Sequence, residues 1–236
     1  MQKLYQDEWF GINFNSFSKM DSKCMPDQNF YDKFYAEFYK RFSSYEDLPS
    51  EWKKKKAMIA DYLACNSTEG MKILSIGCGI GYIEDILKKN RNITAIEPSY
   101  NATIFLERSG GVKIYYGYFP QSLEGSAEKF DLIYLVDTDY VFDKKGLIGL
   151  LKHAKEYSDT IIIVSIFQKI RFLNKIKNFI KLILTFFNIY ERGQFWGYSR
   201  IPKDLLSCFM KAGYSAIEHG FLNADSYWVK GQGSRL

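Results

Sequence analysis

Cysteine is scarce and scattered in this chain: Cys24, Cys65, Cys78 and Cys208 are the 4 thiols among 236 residues. With no C-x-x-C pair, neither a zinc site nor a dithiol redox motif is indicated, and free thiols in a reducing cytoplasm are expected. No uninterrupted apolar run is long enough to span a bilayer. The opening Met1-Gln2-Lys3-Leu4-Tyr5, with acids close behind, lacks the pattern of a secretory leader, so a cytoplasmic location is expected. The formal net charge is +5, too small to argue for nucleic acid, and no nucleic-acid module or dense basic patch is present. No internal repeat is apparent. Histidine is rare as well: His153 falls in an expected helix and His219 in an expected strand.

Aromatic residues are abundant, with 18 Tyr and 19 Phe. They fill cores and line clefts alike. The length suits one α/β domain with a small extra element.

The chain is organised around residues 71–87, MKILSIGCGIGYIEDIL. Ile73, Leu74 and Ile76 form a short apolar run, as in a strand covered on both faces. Gly77, Gly79 and Gly81 follow at once, and Ile83, Ile86 and Leu87 recur at helical spacing. A glycine turn between a strand and a helix lets the backbone approach a ligand, with the helix N-terminus behind it. A dinucleotide site has G-x-G-x-x-G; here the third glycine comes one position early and Tyr82 stands where that glycine would be. The next strand, Asn92 to Glu97, ends in a carboxylate 20 residues after Gly77. In nucleotide-binding α/β folds an acid at about that distance accepts hydrogen bonds from ribose hydroxyls, and a carboxylate can take both.

Further along, residues 29–42 carry aromatic pairs about four apart, which predicts one helix face with Asp27 as its N-cap. A second helix is expected from Pro49 or Ser50 to Ala64, with Trp52, Met58, Ile59 and Leu63 inward and Lys53 to Lys56 outward. Residues 1–26 read as a lead-in, either loosely structured or packed on the domain. A third strand is expected at Val112 to Tyr116, a fourth at Phe130 to Asp137 and a fifth at Thr160 to Ile166, with Lys144 to Tyr157 helical between the last two. Loops past the carboxyl ends of parallel strands bind ligands in such sheets, which draws attention to Asp137, Asp139 and Tyr140. Residues 171–187 form a basic amphipathic helix that suits a lid, a dimer contact or an anionic membrane surface. The segment Glu191 to Arg200 reads as a polar, aromatic loop in which Trp196, Tyr198 and Arg200 suit a sugar ring or an anionic group. Tyr214 to Phe221 and Ser226 to Lys230 read as an antiparallel closing pair.

The run I-G-C-G-I-G with Glu97, the pattern F-D-L-I-Y at Phe130 to Tyr134, and K-A-G-Y at Lys211 to Tyr214 together resemble the class I S-adenosylmethionine-dependent methyltransferases. The resemblance covers about Lys54 to Lys230. It implies a Rossmann-like three-layer α/β sandwich with a mostly parallel seven-stranded sheet, N-terminal helices and a helical insertion after strand five. It also implies a division into a lead-in and helical cap over 1–50 and a methyltransferase domain over 51–236, with 168–200 as insertion or lid. The cofactor implied is S-adenosylmethionine, with S-adenosylhomocysteine as product and no metal. Its contacts would come from Gly77, Cys78, Gly79, Gly81, Glu97, Pro98, Tyr118, Phe119 and Asp137.

Two positions depart from that family. Tyr118 stands where an Asp commonly holds the adenine amino group, so the Phe119 N–H, ring stacking or a carboxylate from elsewhere would have to serve. Ser75 stands where an acid commonly precedes the first glycine, and Glu84 or Asp137 is the substitute at hand. A hydroxyl acceptor usually needs a base; the candidates are Asp137, Asp139 and His219. Tyr31 and Tyr35, before the glycine turn, join Tyr140, Trp196, Tyr198 and Arg200 as acceptor-site candidates. Neither an N-P-P-Y motif nor metal-binding carboxylates are evident. The expected acceptor is a small polar molecule, foremost a sugar or glycan hydroxyl; no nucleic acid is expected. The alternatives are a lipid-linked acceptor met at the inner membrane surface, homodimerisation through 171–187, or a binding protein that keeps the fold without turnover.

Overall fold

The structure is a computed structural model that describes residues 2–166 and 193–233. The expected helix over 171–187, with the lid, dimer and membrane readings attached to it, lies outside the described residues. Among the described residues no helix is long and apolar enough to cross a membrane.

In chain order the strands are β1 (Gln2–Gln6), β2 (Glu8–Trp9), β3 (Ile12–Asn13), β4 (Lys72–Ile76), β5 (Asn92–Glu97), β6 (Lys113–Tyr116), β7 (Leu132–Val136), β8 (Thr160–Ile166), β9 (Gln194–Ser199), β10 (Ala216–Asn223) and β11 (Ser226–Gln232). The helices are α1 (Gln28–Arg41), α2 (Ser50–Cys65), α3 (Tyr82–Leu87), α4 (Ile104–Ser109), α5 (Lys144–Tyr157) and α6 (Pro202–Lys211).

Among the described residues a seven-stranded sheet has the order β10-β11-β8-β7-β4-β5-β6. The pairings from β6 through β8 are parallel, and β11 runs antiparallel to both its neighbours. The expected Rossmann-like fold, with its antiparallel closing pair, is therefore present. The order reverses between β4 and β7, and a crevice opens at that point beyond the strand ends.

Alternation along the central strands divides the core in two. Leu74, Ile76, Ile133, Leu135, Ile161 and Ile163 pack with α5 and α6 through Leu147, Leu151, Leu205 and Phe209. Ile73, Leu132, Tyr134, Ile162 and Val164 face the other way, onto Ile59 and Leu63 of α2 and Ile83 and Leu87 of α3. These layers make the sandwich. Helix α1 begins where the sequence places it, with the Asp27 carboxylate accepting from the Phe30 N–H at 2.8 Å.

The N-terminal segment is packed on the domain rather than loose. Strand β1 pairs antiparallel with β9, Gln2 opposite Ser199, and β2 pairs with β3. Phe14 is fully buried, and a third apolar cluster joins it to Phe30, Phe34, Phe38, Phe105 and Trp196. Aromatic burial drives this packing: each ring removes a large apolar area from water and the pairs meet edge to face or offset. The same contact corrects the loop expected over Glu191 to Arg200, of which Gln194–Ser199 is a strand. Its polar residues are buried and partnered inside the fold: Gln194 donates to the Cys24 carbonyl and Arg200 pairs with Asp139.

Candidate functional site

A cavity of about 640 Å³ opens at the carboxyl ends of β4, β5 and β7, and is lined there by Ser75, Ile76, Ile96, Glu97, Val136 and Asp137. That volume suits a small-molecule site, for which roughly 300–1,000 Å³ is usual.

Each glycine of the turn has its own reason. Gly77 and Gly81 both have φ of +74°, and a side chain on either would strike Thr138 or Leu106 within 2.6 Å. Gly79, at φ +56°, faces open space, with the Tyr35 hydroxyl the nearest atom at 3.6 Å. Gly77 and Gly79 line the cavity and Gly81 does not. Gly81 instead lets α3 pack on α4, which corrects its expected ligand contact.

Glu97 closes β5 and is 7% exposed. It accepts from the Gly79 N–H at 2.8 Å and the Ser99 N–H at 3.1 Å. Burial pushes its carboxyl up to about 7, while those two N–H groups pull the other way.

Ser75 and Tyr134 are register neighbours on β4 and β7, on one face of the sheet. Both hydroxyls donate to Glu84 Oε1 of α3, at 2.6 and 2.7 Å. Glu84 is buried, lines the cavity, and its carboxyl is raised by burial against the pull of those hydroxyls. A carboxylate carried by the following helix thus sits against Ser75.

Asp137 follows β7 with φ of +51°, a left-handed conformation uncommon for a non-glycine residue. Its Oδ2 lies 2.7 Å from Lys56 Nζ, in a pair whose side chains are only 13% and 14% exposed. Its Oδ1 is buried and has no hydrogen-bond partner among the described residues. Lys56 lines the cavity and lies 5.6 Å from the Trp52 ring centre. This corrects its expected outward placement: one turn of a lysine-rich helix does not reveal which lysine has a buried carboxylate opposite it.

The structure also brings Cys78, Pro98, Tyr118, Phe119, Tyr31, Tyr35, Tyr140 and Trp196 to the cavity lining. Tyr118 is 61% exposed and stands at the rim. Burial raises the hydroxyls of Tyr31, Tyr35 and Tyr140, with the Glu97 charge adding to it, so they stay protonated. Burial likewise lifts the Cys78 thiol, helped by Glu84 and Glu97. Sequence reasoning missed the contribution of the first 28 residues, from which Gln6, Trp9, Phe10, Met25, Pro26 and Gln28 join the lining. Their only signal is the aromatic content of a segment otherwise rich in polar residues.

Besides Gly81, four expected site residues lie elsewhere. Asp139 and Arg200 are both buried and paired, Arg200 Nη1 being 3.3 Å from Asp139 Oδ2 and 2.5 Å from the Asp139 carbonyl. Arg200 Nη2 also donates to the Phe142 carbonyl. Burial pushes the Asp139 carboxyl up to about 6 in spite of the Arg200 charge. This pair fastens the turn Asp139–Val141, so Asp139 is no base facing the cavity and Arg200 grips no ligand there. His219 is exposed on the edge strand β10, its ring 5.9 Å from that of Tyr227. Tyr198 pairs in register with Lys3 and packs on Phe195 at 5.4 Å, outside the cavity.

No protein-family model matches the chain, and no curated protein matches it by sequence. Solved structures do resemble it. A complex of DhpI with S-adenosylhomocysteine (SAH) superposes with a TM-score of 0.63 and 13% identity, covering 88% of this chain and 96% of that one. Magnesium protoporphyrin IX methyltransferase (ChlM) from Synechocystis PCC 6803, with bound S-adenosylmethionine (SAM), gives 0.60 and 11% over 91% of this chain and 100% of that one. Human N-acetylserotonin methyltransferase with SAM gives 0.60 and 11%, over 88% of this chain and 57% of that one.

Proposed function

From the premise that the chain has the class I methyltransferase fold, we propose that it is a SAM-dependent methyltransferase acting on a small-molecule hydroxyl. The observation that carries this reading is Glu97, held at the end of β5 against the N–H of Gly79, the glycine whose open side faces the cavity.

The residues fit the cofactor. Space beside Gly79 is free for a ligand. Asp137 Oδ1 is a buried acceptor without a donor, which a ligand N–H or O–H would complete. Glu97 would hold the ribose hydroxyls, Tyr118 and Phe119 would border the base, and Glu84 would face the ammonium group. When bound, SAM supplies an electrophilic methyl group on a sulfonium. The protein's task is then to align and to exclude water. Residues 1–50 serve as the cap, their aromatic side chains closing the cavity over the strand ends. Asp137 is the carboxylate left to accept the acceptor's proton, with Lys56 holding its other oxygen.

Sugar hydroxyls were the foremost expectation for the acceptor, resting on Arg200 and Tyr198 beside Trp196. With Arg200 bound to Asp139 and Tyr198 outside the cavity, that support is gone. Calorimetry with SAM and SAH tests the proposal: binding that is abolished by Gly79→Arg is expected. Absence of binding, or binding indifferent to that substitution, overturns it.

A further inference from the structure

The acceptor end of the cavity has a definite chemical character. Its wall comes from the N-terminal segment, α1, the turn after β7, and β9. Trp9, Tyr31, Tyr35, Tyr140 and Trp196 supply the rings. The N-terminal segment, α1 and β9 contribute no charged side chain to the described lining. Among the described residues, the cations that do line the cavity, Lys55 and Lys56, both come from α2, and Lys56 is engaged by Asp137. Arg200, four residues after Trp196, is committed to Asp139.

The rings are also ordered. Phe14 and Trp196 lie nearly parallel at 5.2 Å and 17°, and Trp196 and Tyr140 at 6.2 Å and 14°. The last two rings of this ladder line the cavity. Trp9 stands against Phe34 at 4.9 Å and 16° and lines it too. Flat faces supported from behind by other rings cannot fold away to suit a puckered guest. They favour a flat one, because offset stacking contributes beyond simple area burial. Polar partners are few: the three tyrosine hydroxyls and the amides of Gln6 and Gln28. A sugar buried there would leave several hydroxyls without partners, and each would cost free energy. A carboxylate or phosphate would find no free cation on these elements.

We propose that this end of the cavity takes a flat, uncharged aromatic compound bearing a hydroxyl, in preference to a sugar or an anion. The inference rests on the methyltransferase reading for its purpose, and on the wall alone for its chemistry.

Equilibrium dialysis of the full chain, read by mass spectrometry, tests it with 2-naphthol, 2-naphthoate and methyl α-glucoside, each with and without saturating SAH. Retention of 2-naphthol at least about tenfold tighter than either competitor is expected. Tyr140→Leu should weaken 2-naphthol by about three- to tenfold while SAH affinity stays within about twofold, which also reports that the variant is folded. Glucoside or naphthoate binding as tightly as 2-naphthol, or 2-naphthol indifferent to Tyr140→Leu, overturns the inference. If SAH binds and 2-naphthol does not, the acceptor class fails and the methyltransferase reading stands. If 2-naphthol binds and SAH does not, the reading fails and the aromatic site stands.

Discussion

The Ser75 hydroxyl donates to the Glu84 carboxylate across 2.6 Å, with both groups buried. A carboxylate at position 75 would confront a second one at the same distance. Ser75 and Glu84 therefore invite an exchange: with a serine on the strand, the helix carries the one carboxylate of this contact. Glu84→Gln should weaken SAM binding by about tenfold, the worth of a hydrogen bond to a charged group. Ser75→Asp alone should destabilise the fold by about 3–5 kcal/mol, as an uncompensated buried charge does. The double variant Ser75→Asp, Glu84→Gln should recover both properties in part. Calorimetry and thermal melts read these effects, and a double variant no better than either single one would refute the exchange.

Glu97 links stability to pH. Its carboxyl titrates near about 7 in the folded chain against an ordinary value of 4.5, because burial disfavours its charge. The folded state holds this proton more tightly than the unfolded state. The resulting stability is fully present below pH 4.5 and is lost as the pH rises through about 7. Asp139, pushed up to about 6, acts in the same direction. Urea titrations of the ligand-free protein should thus show stability falling between pH 4.5 and 7, with Glu97→Gln removing up to about 3 kcal/mol of that fall. Affinity for a ligand that donates hydroxyls to Glu97 should rise over the same range. An unchanged slope in the variant would remove Glu97 from this role.

The three glycines should separate cleanly under alanine substitution. Gly77→Ala and Gly81→Ala each combine a left-handed backbone with a collision, against Thr138 and Leu106. About 2–4 kcal/mol of destabilisation is expected for each. Gly79→Ala meets only the backbone cost, about 1–2 kcal/mol, since nothing lies nearer than 3.6 Å. It should, however, weaken cofactor binding more than its stability change explains. Melting curves beside calorimetry distinguish the two patterns.

Arg200→Leu should act through the fold. Removing it leaves Asp139 buried without its partner and frees the carbonyls of Asp139 and Phe142. A loss of about 3–5 kcal/mol is expected. Asp139→Asn should be milder, since a neutral amide keeps one contact and removes the charge. A variant of normal stability with a selective loss of acceptor affinity would return Arg200 to the site.

The sheet was legible because its strands are continuous apolar runs and its glycine turn is dense. Ile73, Leu74 and Ile76, then Gly77, then Glu97, needed only local spacing. The strand-end side of the cavity is written in those same residues. The aromatic side is not, because it is assembled from segments far apart in the chain. Trp9 and Trp196 meet at 5.8 Å, and nothing in either neighbourhood announces the other. Lys56 was read outward because its partner, Asp137, belongs to another strand end. Arg200 and Asp139 were read as functional because charged residues near aromatic ones look alike whether they face a ligand or each other.

The antiparallel clasp between Gln2–Gln6 and Gln194–Ser199 has a temporal consequence. A ribosome delivers the first of these segments long before the second exists. Until then Trp9 and Phe14 lack the tryptophan they pack against. Pairing between segments so distant in sequence is intrinsically slow. The aromatic wall cannot close until residues 194–199 emerge, however early the central strands have found one another.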